Sequence, residues 1–265
     1  LARHGMGLIL DIVPNHMAAD AANAWWWDVL LWGPASRHAA FFDIDWQDPD
    51  PALRGKLLLP ILGDTLQACL TRGEITLDID EDAGLFVGRY FDVRFPIDPR
   101  GYGEILDIGG PGWSGLRHGA EQLRSLDGAA FDSAAAKLRT DLADRFRVAR
   151  PAERESLLSR VNTDPAHLQS LLQRQNYVLT QWQDAATRIN WRRFFDINGL
   201  VALRMDRAED FDAYHSETLD LLRDGIIDGV RVDHVDGLAD PIGYCRRLRA
   251  ALDATKPRAY LVAEK

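Results

Sequence analysis

Asp11, Asp233 and Glu264 each stand at or just beyond the C-terminal end of a short apolar run. The runs are Gly7 to Val13 (GLILDIV), Ile226 to Val235 (IIDGVRVDHV) and Ala259 to Ala263 (AYLVA). Asn15 and His16 follow the first, and Arg231, His234 and Asp236 accompany Asp233 on the second. Two carboxyl groups on neighbouring strands suit cleavage of a glycosidic bond. One carboxylate attacks the anomeric carbon while a protonated partner assists the leaving oxygen, and the retaining mechanism asks for roughly 5–5.5 Å between them. Asp233 and Glu264 are about 30 positions apart, the span of one strand–helix–strand step. Arg231, two residues before Asp233, projects from the same strand face, where a fixed positive charge keeps Asp233 ionised. Glu264 ends a more apolar run and is expected to hold its proton nearer neutral pH.

These residues need strands to carry them. Each run is short, nearly continuous in apolar residues and rich in β-branched ones, the pattern of a strand buried on both faces of a parallel sheet. Pro14 ends the first. Between the second and third, Asp240 as N-cap, Pro241 at the first helical position and a face of Tyr244, Leu248, Ala251 and Leu252 predict a helix, completing a βαβ unit. Upstream, Phe211, His215, Thr218, Leu219 and Leu222 form another stripe, begun by a capping box Asp206-x-x-Glu209 and stopped by Gly225. In a parallel α/β barrel the C-terminal strand edge is where active sites are assembled, so the polar strand ends read as one site.

The roughly 190 residues between the first strand and that helix are too many for a loop and must hold structure of their own. Glu74 to Asp80 and Phe86 to Phe95 read as a hairpin about the turn Glu81-Asp82-Ala83-Gly84. Phe131 to Arg150 and Pro165 to Gln175 read as helices. The expected fold class is therefore α/β: a partial (β/α)8 barrel of about three parallel strands, with a large, mainly α-helical insertion containing a small antiparallel β element. Residues 1–17 are expected to supply a barrel strand and its loop, 18–205 the insertion after that strand, a lid or subdomain, and 206–265 the βαβ continuation.

Composition narrows the function. The chain has 265 residues, 46% hydrophobic and 27% charged, a globular balance. Its length matches the roughly 250 residues of a whole barrel, but only three barrel strands can be read from it. A net charge of -9 and the lack of any dense Lys/Arg run argue against a nucleic-acid partner. Ala24 to Leu31 and Leu57 to Leu62 are too short to span a bilayer and are interrupted by Asp28 and Pro60, which argues against a membrane partner. Cys69 and Cys245, the only cysteines, read as two buried thiols in a reducing, cytoplasmic setting. Leu1 to Gly7 has neither the charged nor the apolar region of a signal peptide, and both ends read as cut from a longer chain. Trp25, Trp26, Trp27 and Trp32 cannot all face one groove and are expected in the core, whereas Arg192 and Arg193 are expected on a solvated or salt-bridged face. His4, His16, His38 and His234 show no His-x-His strand pair and no His-x-x-x-His helix pair, which disfavours a transition-metal hydrolase.

Taken in order, Asp11-Ile-Val-Pro-Asn15-His16, Gly229-Val-Arg231-Val-Asp233-His234 and Glu264 resemble the first three sequence regions of the α-amylase superfamily of glycoside hydrolases. The resemblance implies Asp233 as nucleophile, Glu264 as general acid/base and Arg231 as the nucleophile's positioner. It implies Asp11 and His16 as contacts to the sugar in subsite -1, with Asn15, His234 and Asp236 among the substrate-binding residues. In many members the Asn15 position supports a calcium-bearing loop. Further segments are similar to the malto-oligosyltrehalose synthases: Phe41-Phe-Asp-Ile-Asp45-Trp46, Leu59-Pro-Ile-Leu-Gly63, Arg89-Tyr-Phe-Asp-Val-Arg-Phe95, Gln173-Arg-Gln-Asn-Tyr177, Ile189-Asn-Trp-Arg-Arg-Phe-Phe-Asp196 and Asp233-His-Val-Asp-Gly-Leu-Ala-Asp-Pro241.

That family implies an intramolecular transglucosylation, formally an isomerisation, acting on maltooligosaccharides in trehalose biosynthesis with no obligatory cofactor. The superfamily's third carboxylate is expected beyond Lys265, so the chain by itself is expected to be inactive. The alternatives are an α-amylase-like hydrolase, a 4-α-glucanotransferase and a noncatalytic glucan-binding module.

Overall fold

In chain order, β1 (Ile9–Ile12) and β2 (His16–Ala18) precede α1 (Ala24–Trp32), β3 (Leu57–Leu62) and α2 (Leu66–Thr71). A meander of β4 (Ile75–Asp80), β5 (Leu85–Tyr90) and β6 (Val93–Pro96) leads to the helices α3 (Tyr102–Gly109), α4 (Ser114–Gln122), α5 (Gly128–Val148), α6 (Pro151–Asn162) and α7 (Pro165–Gln173). The last part runs β7 (Tyr177–Gln181), α8 (Ala185–Arg188), β8 (Leu200–Ala202), α9 (Ala208–Arg223), β9 (Gly229–Val232), α10 (Pro241–Thr255) and β10 (Tyr260–Ala263). This computed structural model describes residues 2–265, so Leu1, the first residue of the N-terminal stretch considered above, lies outside the described residues. The architecture is mixed α/β with parallel strands and many helices. It separates into two units, one of Leu1–Ala19, His38–Ile44 and Trp191–Lys265, the other of Asp20–Arg37 and Asp45–Asn190.

In the first unit the three apolar runs form one parallel sheet in the order β1-β9-β10. Burial on both faces holds only for the middle strand, where Val230 and Val232 are fully enclosed. Leu8 and Ile9 beside and within β1, and Tyr260 and Val262 in β10, are exposed instead. Each outer strand pairs on one side only among the described residues, so solvent takes the place of a neighbour. Beside this sheet His16–Ala18 pairs antiparallel with β8, opposing His16 to Ala202.

The two helices of this unit lie where the sequence puts them. Asp240 caps α10 by accepting from the Gly243 N–H at 2.8 Å, and Tyr244, Leu248 and Leu252 are buried. Tyr244 packs on Phe211 of α9, and its hydroxyl meets His215 Nε2 at 2.9 Å while His215 Nδ1 bonds the Phe211 carbonyl at 2.8 Å. Burial pushes the His215 imidazole down to about 4, so the ring is neutral. The capping box expected at α9 does not form. Asp206 is held by a two-pronged pair with Arg204 at 3.0 Å, a charge-assisted contact that outcompetes a cap, and the N-cap position falls to Arg207.

The second unit holds a parallel pair, β3 with β7, in which Leu57, Leu58 and Leu62 are fully buried. The expected hairpin is a three-stranded meander: the run from Phe86 to Phe95 breaks at Phe91, which turns the chain at φ 51°. Gly88 is required there, because a Cβ would sit 1.8 Å from the Phe95 ring packed across it. Helices α5 and α7 match the expected ones within a few residues. Trp26 and Trp32 are buried in α1 and Trp25 and Trp27 half-buried, a core role. Cys69 is buried, but Cys245 is only half-buried, lying near the exposed side of α10.

Several of the family-like segments supply side chains that serve this unit's irregular backbone. Asn190 accepts from the Leu58 N–H at 2.9 Å and donates to the Asp45 and Lys56 carbonyls at 3.0 and 2.9 Å. Gln175 accepts from the Asp98 N–H at 2.8 Å and donates to the Leu171 carbonyl at 2.7 Å, and Tyr177 donates to the Pro96 carbonyl at 2.8 Å. Buried loop groups need such partners where no ladder provides them.

Candidate active site

The parallel register assembles the site. Asp11 of β1 lies beside Arg231 of β9, which lies beside Val262 of β10. Two positions further, Glu264 comes alongside Asp233: the Glu264 N–H donates to the Val232 carbonyl at 2.8 Å and the Asp233 N–H to the Ile12 carbonyl at 2.9 Å. Alternation along each strand then puts Asp11, Arg231, Asp233 and Glu264 on one face.

Arg231 is the centre of this group. Its Nη1 donates to Asp11 Oδ2 and lies 3.5 Å from Asp233 Oδ1, and its Nη2 meets Glu264 Oε2 at 2.6 Å. Partial desolvation works against its charge, but the hydrogen bond to Asp11 and the charges of Asp11, Glu264 and Asp233 outweigh this and raise its pKa further. Two expectations change here. Arg231 does reach Asp233, but its tighter contacts are with Asp11 and Glu264. Glu264 is not in apolar surroundings: its side chain is 49% exposed and ion-paired, because the guanidinium fork spans from one strand neighbour to the other.

The two histidines flank an aromatic stack. His16 lies on Phe194 with centroids 4.0 Å apart and planes at 27°, and Phe194 meets the His234 ring edge-on at 4.8 Å. Burial lowers the His16 pKa; Asp233 opposes the shift and His234 adds to it. His16 Nδ1 is buried without a hydrogen-bond partner. Asn15 is also buried; its carbonyl accepts from the Leu203 N–H at 3.0 Å, while its Oδ1 has no hydrogen-bond partner. His234 adopts a left-handed conformation at φ 48° and opens the short turn Val235–Gly237, with Nδ1 3.7 Å from Asp236 Oδ1. Among the described residues, no group of three or more His, Cys, Asp or Glu side chains is arranged to hold a metal ion.

The structure thus brings Asp11, Asp233, Glu264 and Arg231 together, with His16 and His234 joined through Phe194. Phe194 is a site residue that the sequence offers only within the family-like segment Ile189–Asp196, whose Arg-Arg-Phe-Phe cluster is the one signal that could place it here. Arg192 and Arg193 take the salt-bridged role expected of them, with Asp43 at 2.7 Å and Asp196 at 3.1 Å.

Fold and site together define a class: parallel α/β proteins that gather carboxylates about an arginine at the C-terminal ends of their strands. Within it the likeness is specific. Putative maltooligosyl trehalose synthases of Mycobacterium tuberculosis strains CDC 1551 / Oshkosh and ATCC 25618 / H37Rv are each 33% identical to this chain over 263 residues, 98% of its length. Among solved structures, the maltooligosyltrehalose synthase of Arthrobacter ramosus covers the whole chain at 30% identity and a TM-score of 0.61, and the DSM5389 glycosyltrehalose synthase covers it at 25% and 0.64. The chain is therefore homologous to maltooligosyl trehalose synthases. It spans about a quarter of their length: 24% of the mycobacterial relatives, 25% of the Arthrobacter ramosus chain and 27% of the DSM5389 chain. No protein-family model matches it.

Proposed function

We propose that this chain carries part of the catalytic barrel of an enzyme that converts the reducing-end α-1,4 linkage of maltooligosaccharides into an α,α-1,1 linkage, a step in trehalose biosynthesis. The observation that carries this reading is the convergence of Asp233 and Glu264 on Arg231 in a chain homologous to those synthases. Asp233 attacks the anomeric carbon, the bond to the reducing-end glucose breaks, and Glu264 gives its proton to the leaving oxygen. A covalent glycosyl–Asp233 remains. The released glucose turns so that its own anomeric hydroxyl faces that carbon. Glu264 takes the hydroxyl proton, the new C–O bond forms, and Asp233 leaves; two inversions preserve the α configuration. On this reading Glu264 gives up its contact with Arg231 when it takes on a proton, while Asp11 and the neutral His16 bond the sugar hydroxyls, with Asn15, His234 and Asp236 completing the surroundings.

The same reading assigns β1, β9 and β10 to a (β/α)8 barrel whose other strands belong to a longer polypeptide, with residues 18–205 as an insertion after the first strand. It takes a glucan as partner, without nucleic acid, membrane or cofactor, and places the enzyme in the cytoplasm. The -9 charge argues against a nucleic-acid partner, and no helix among the described residues is long and apolar enough to cross a membrane. Product analysis tests it. The natural full-length polypeptide, given maltopentaose, is expected to remove reducing ends without shortening the glucan. Accumulation of glucose and shorter maltooligosaccharides would overturn the reading in favour of a hydrolase or glucanotransferase.

A further inference from the structure

Arg192 divides one guanidinium among three segments of the first unit. Nε donates to Asp43 Oδ2 at 2.7 Å, Nη1 to the Gly237 carbonyl at 3.2 Å and Nη2 to the Leu203 carbonyl at 3.3 Å. The Arg192 backbone is fixed too, its N–H on the Asp43 carbonyl and its carbonyl on the Ala202 N–H. A planar cation anchored this way presents one prong in a set direction.

That prong meets the turn after β9. The turn is wound tightly: the Gly237 N–H donates to the His234 carbonyl and the Leu238 N–H to the Val235 carbonyl, each at 3.2 Å. Gly237 leaves no room for a Cβ, which would lie 2.7 Å from His234 Cδ2 and 3.0 Å from Asn15 Nδ2. With so little slack, a shift of the Gly237 carbonyl carries the His234 ring and the Asp236 backbone with it.

We propose that Arg192 is a positioning residue for glucosyl transfer: it fixes the Val235–Gly237 turn and so aims His234 and Asp236 at the bound sugar. The inference rests on reading Asp233 and Glu264 as the reacting pair, and it adds a side chain remote from the reacting atoms. A merely structural Arg192 would act through its ion pair with Asp43 alone.

Substitutions separate the two roles. In Arg192→Lys a point charge can still pair with Asp43 but cannot reach both carbonyls, and Arg192→Gln removes the ion pair as well. Asp43→Asn removes the ion pair and leaves the carbonyl contacts. In the natural full-length polypeptide, Arg192→Lys is expected to keep the thermal midpoint, to speed hydrogen–deuterium exchange at Gly237 and Leu238, and to lower kcat/KM on maltopentaose roughly tenfold, mostly through kcat. Arg192→Gln should repeat the exchange and kcat effects, and Asp43→Asn should show neither. Unchanged exchange at that turn in both Arg192 variants, or faster exchange with kcat/KM within about twofold of the parent, would overturn the proposal. An Asp43→Asn variant equal to Arg192→Lys would overturn it as well. If instead the parent forms no trehalosyl product, it is the reading of the reacting pair that fails, and exchange at the turn still decides whether Arg192 holds it.

Discussion

Three carboxylates share one guanidinium at the strand ends, and their distances to it rank them differently from what sequence spacing suggests. Asp233, two residues from Arg231, is the loosest of the three at 3.5 Å, while Glu264 on the next strand is held at 2.6 Å. On the proposed reading of Asp233 as nucleophile this is an advantage: Arg231 keeps positive charge nearby while touching only one Asp233 oxygen, and that loosely. Asp233→Asn in the full-length polypeptide is accordingly expected to cut turnover by on the order of a thousandfold or more, with maltooligosaccharide binding by calorimetry retained. Unchanged turnover would remove Asp233 from the nucleophile's role. Loss of binding together with turnover would point instead to a disturbed Arg231 group.

At the scale of elements, the contact between α9 and α10 sets a pH limit on the first unit. Between them His215 is buried and neutral, its two nitrogens occupied by the Phe211 carbonyl and the Tyr244 hydroxyl. Burial lowers its pKa from 6.5 to about 4, so below neutrality the unfolded chain takes up a proton that the folded helix pair excludes. The folded value being the lower one, the stabilisation is complete above about pH 6.5 and is lost as pH falls toward 4. Between pH 7.5 and 5 the loss amounts to about 2 kcal/mol. Urea midpoints at those two pH values check this. A His215→Leu/Tyr244→Phe double variant, which replaces both partners with apolar groups, should show a much smaller decrease over the same interval. An equal decrease in both proteins would mean that His215 is not held neutral. The helices themselves were legible, since Asp240, Pro241 and two apolar stripes are local signals. The lost capping box was not, because Arg204 competes for Asp206 through a side-chain geometry that no spacing rule contains.

For the whole molecule, the outer strands of the parallel sheet carry the main consequence. Among the described residues β1 and β10 pair on one side only, and Leu8, Ile9, Tyr260 and Val262 lie exposed along them. The chain alone is expected to show no turnover of maltopentaose, measured as loss of reducing ends, whereas the full-length polypeptide should show it; activity of the isolated chain would refute the barrel assignment. Sequence by itself determined the order of the polar strand ends, the parity that puts Arg231 and Asp233 on one face, the βαβ step and the kinship of the motifs. All of these depend on backbone periodicity and short spacings. Tertiary structure alone decided which carboxylates Arg231 grips, that Phe194 lies between His16 and His234, that the hairpin is a meander, and that Asn190 and Gln175 serve buried backbone. The reason is physical: Asp11 and Arg231 are 220 positions apart, and the partner of a charge or a buried amide is set by whichever segments packing brings within about 3 Å.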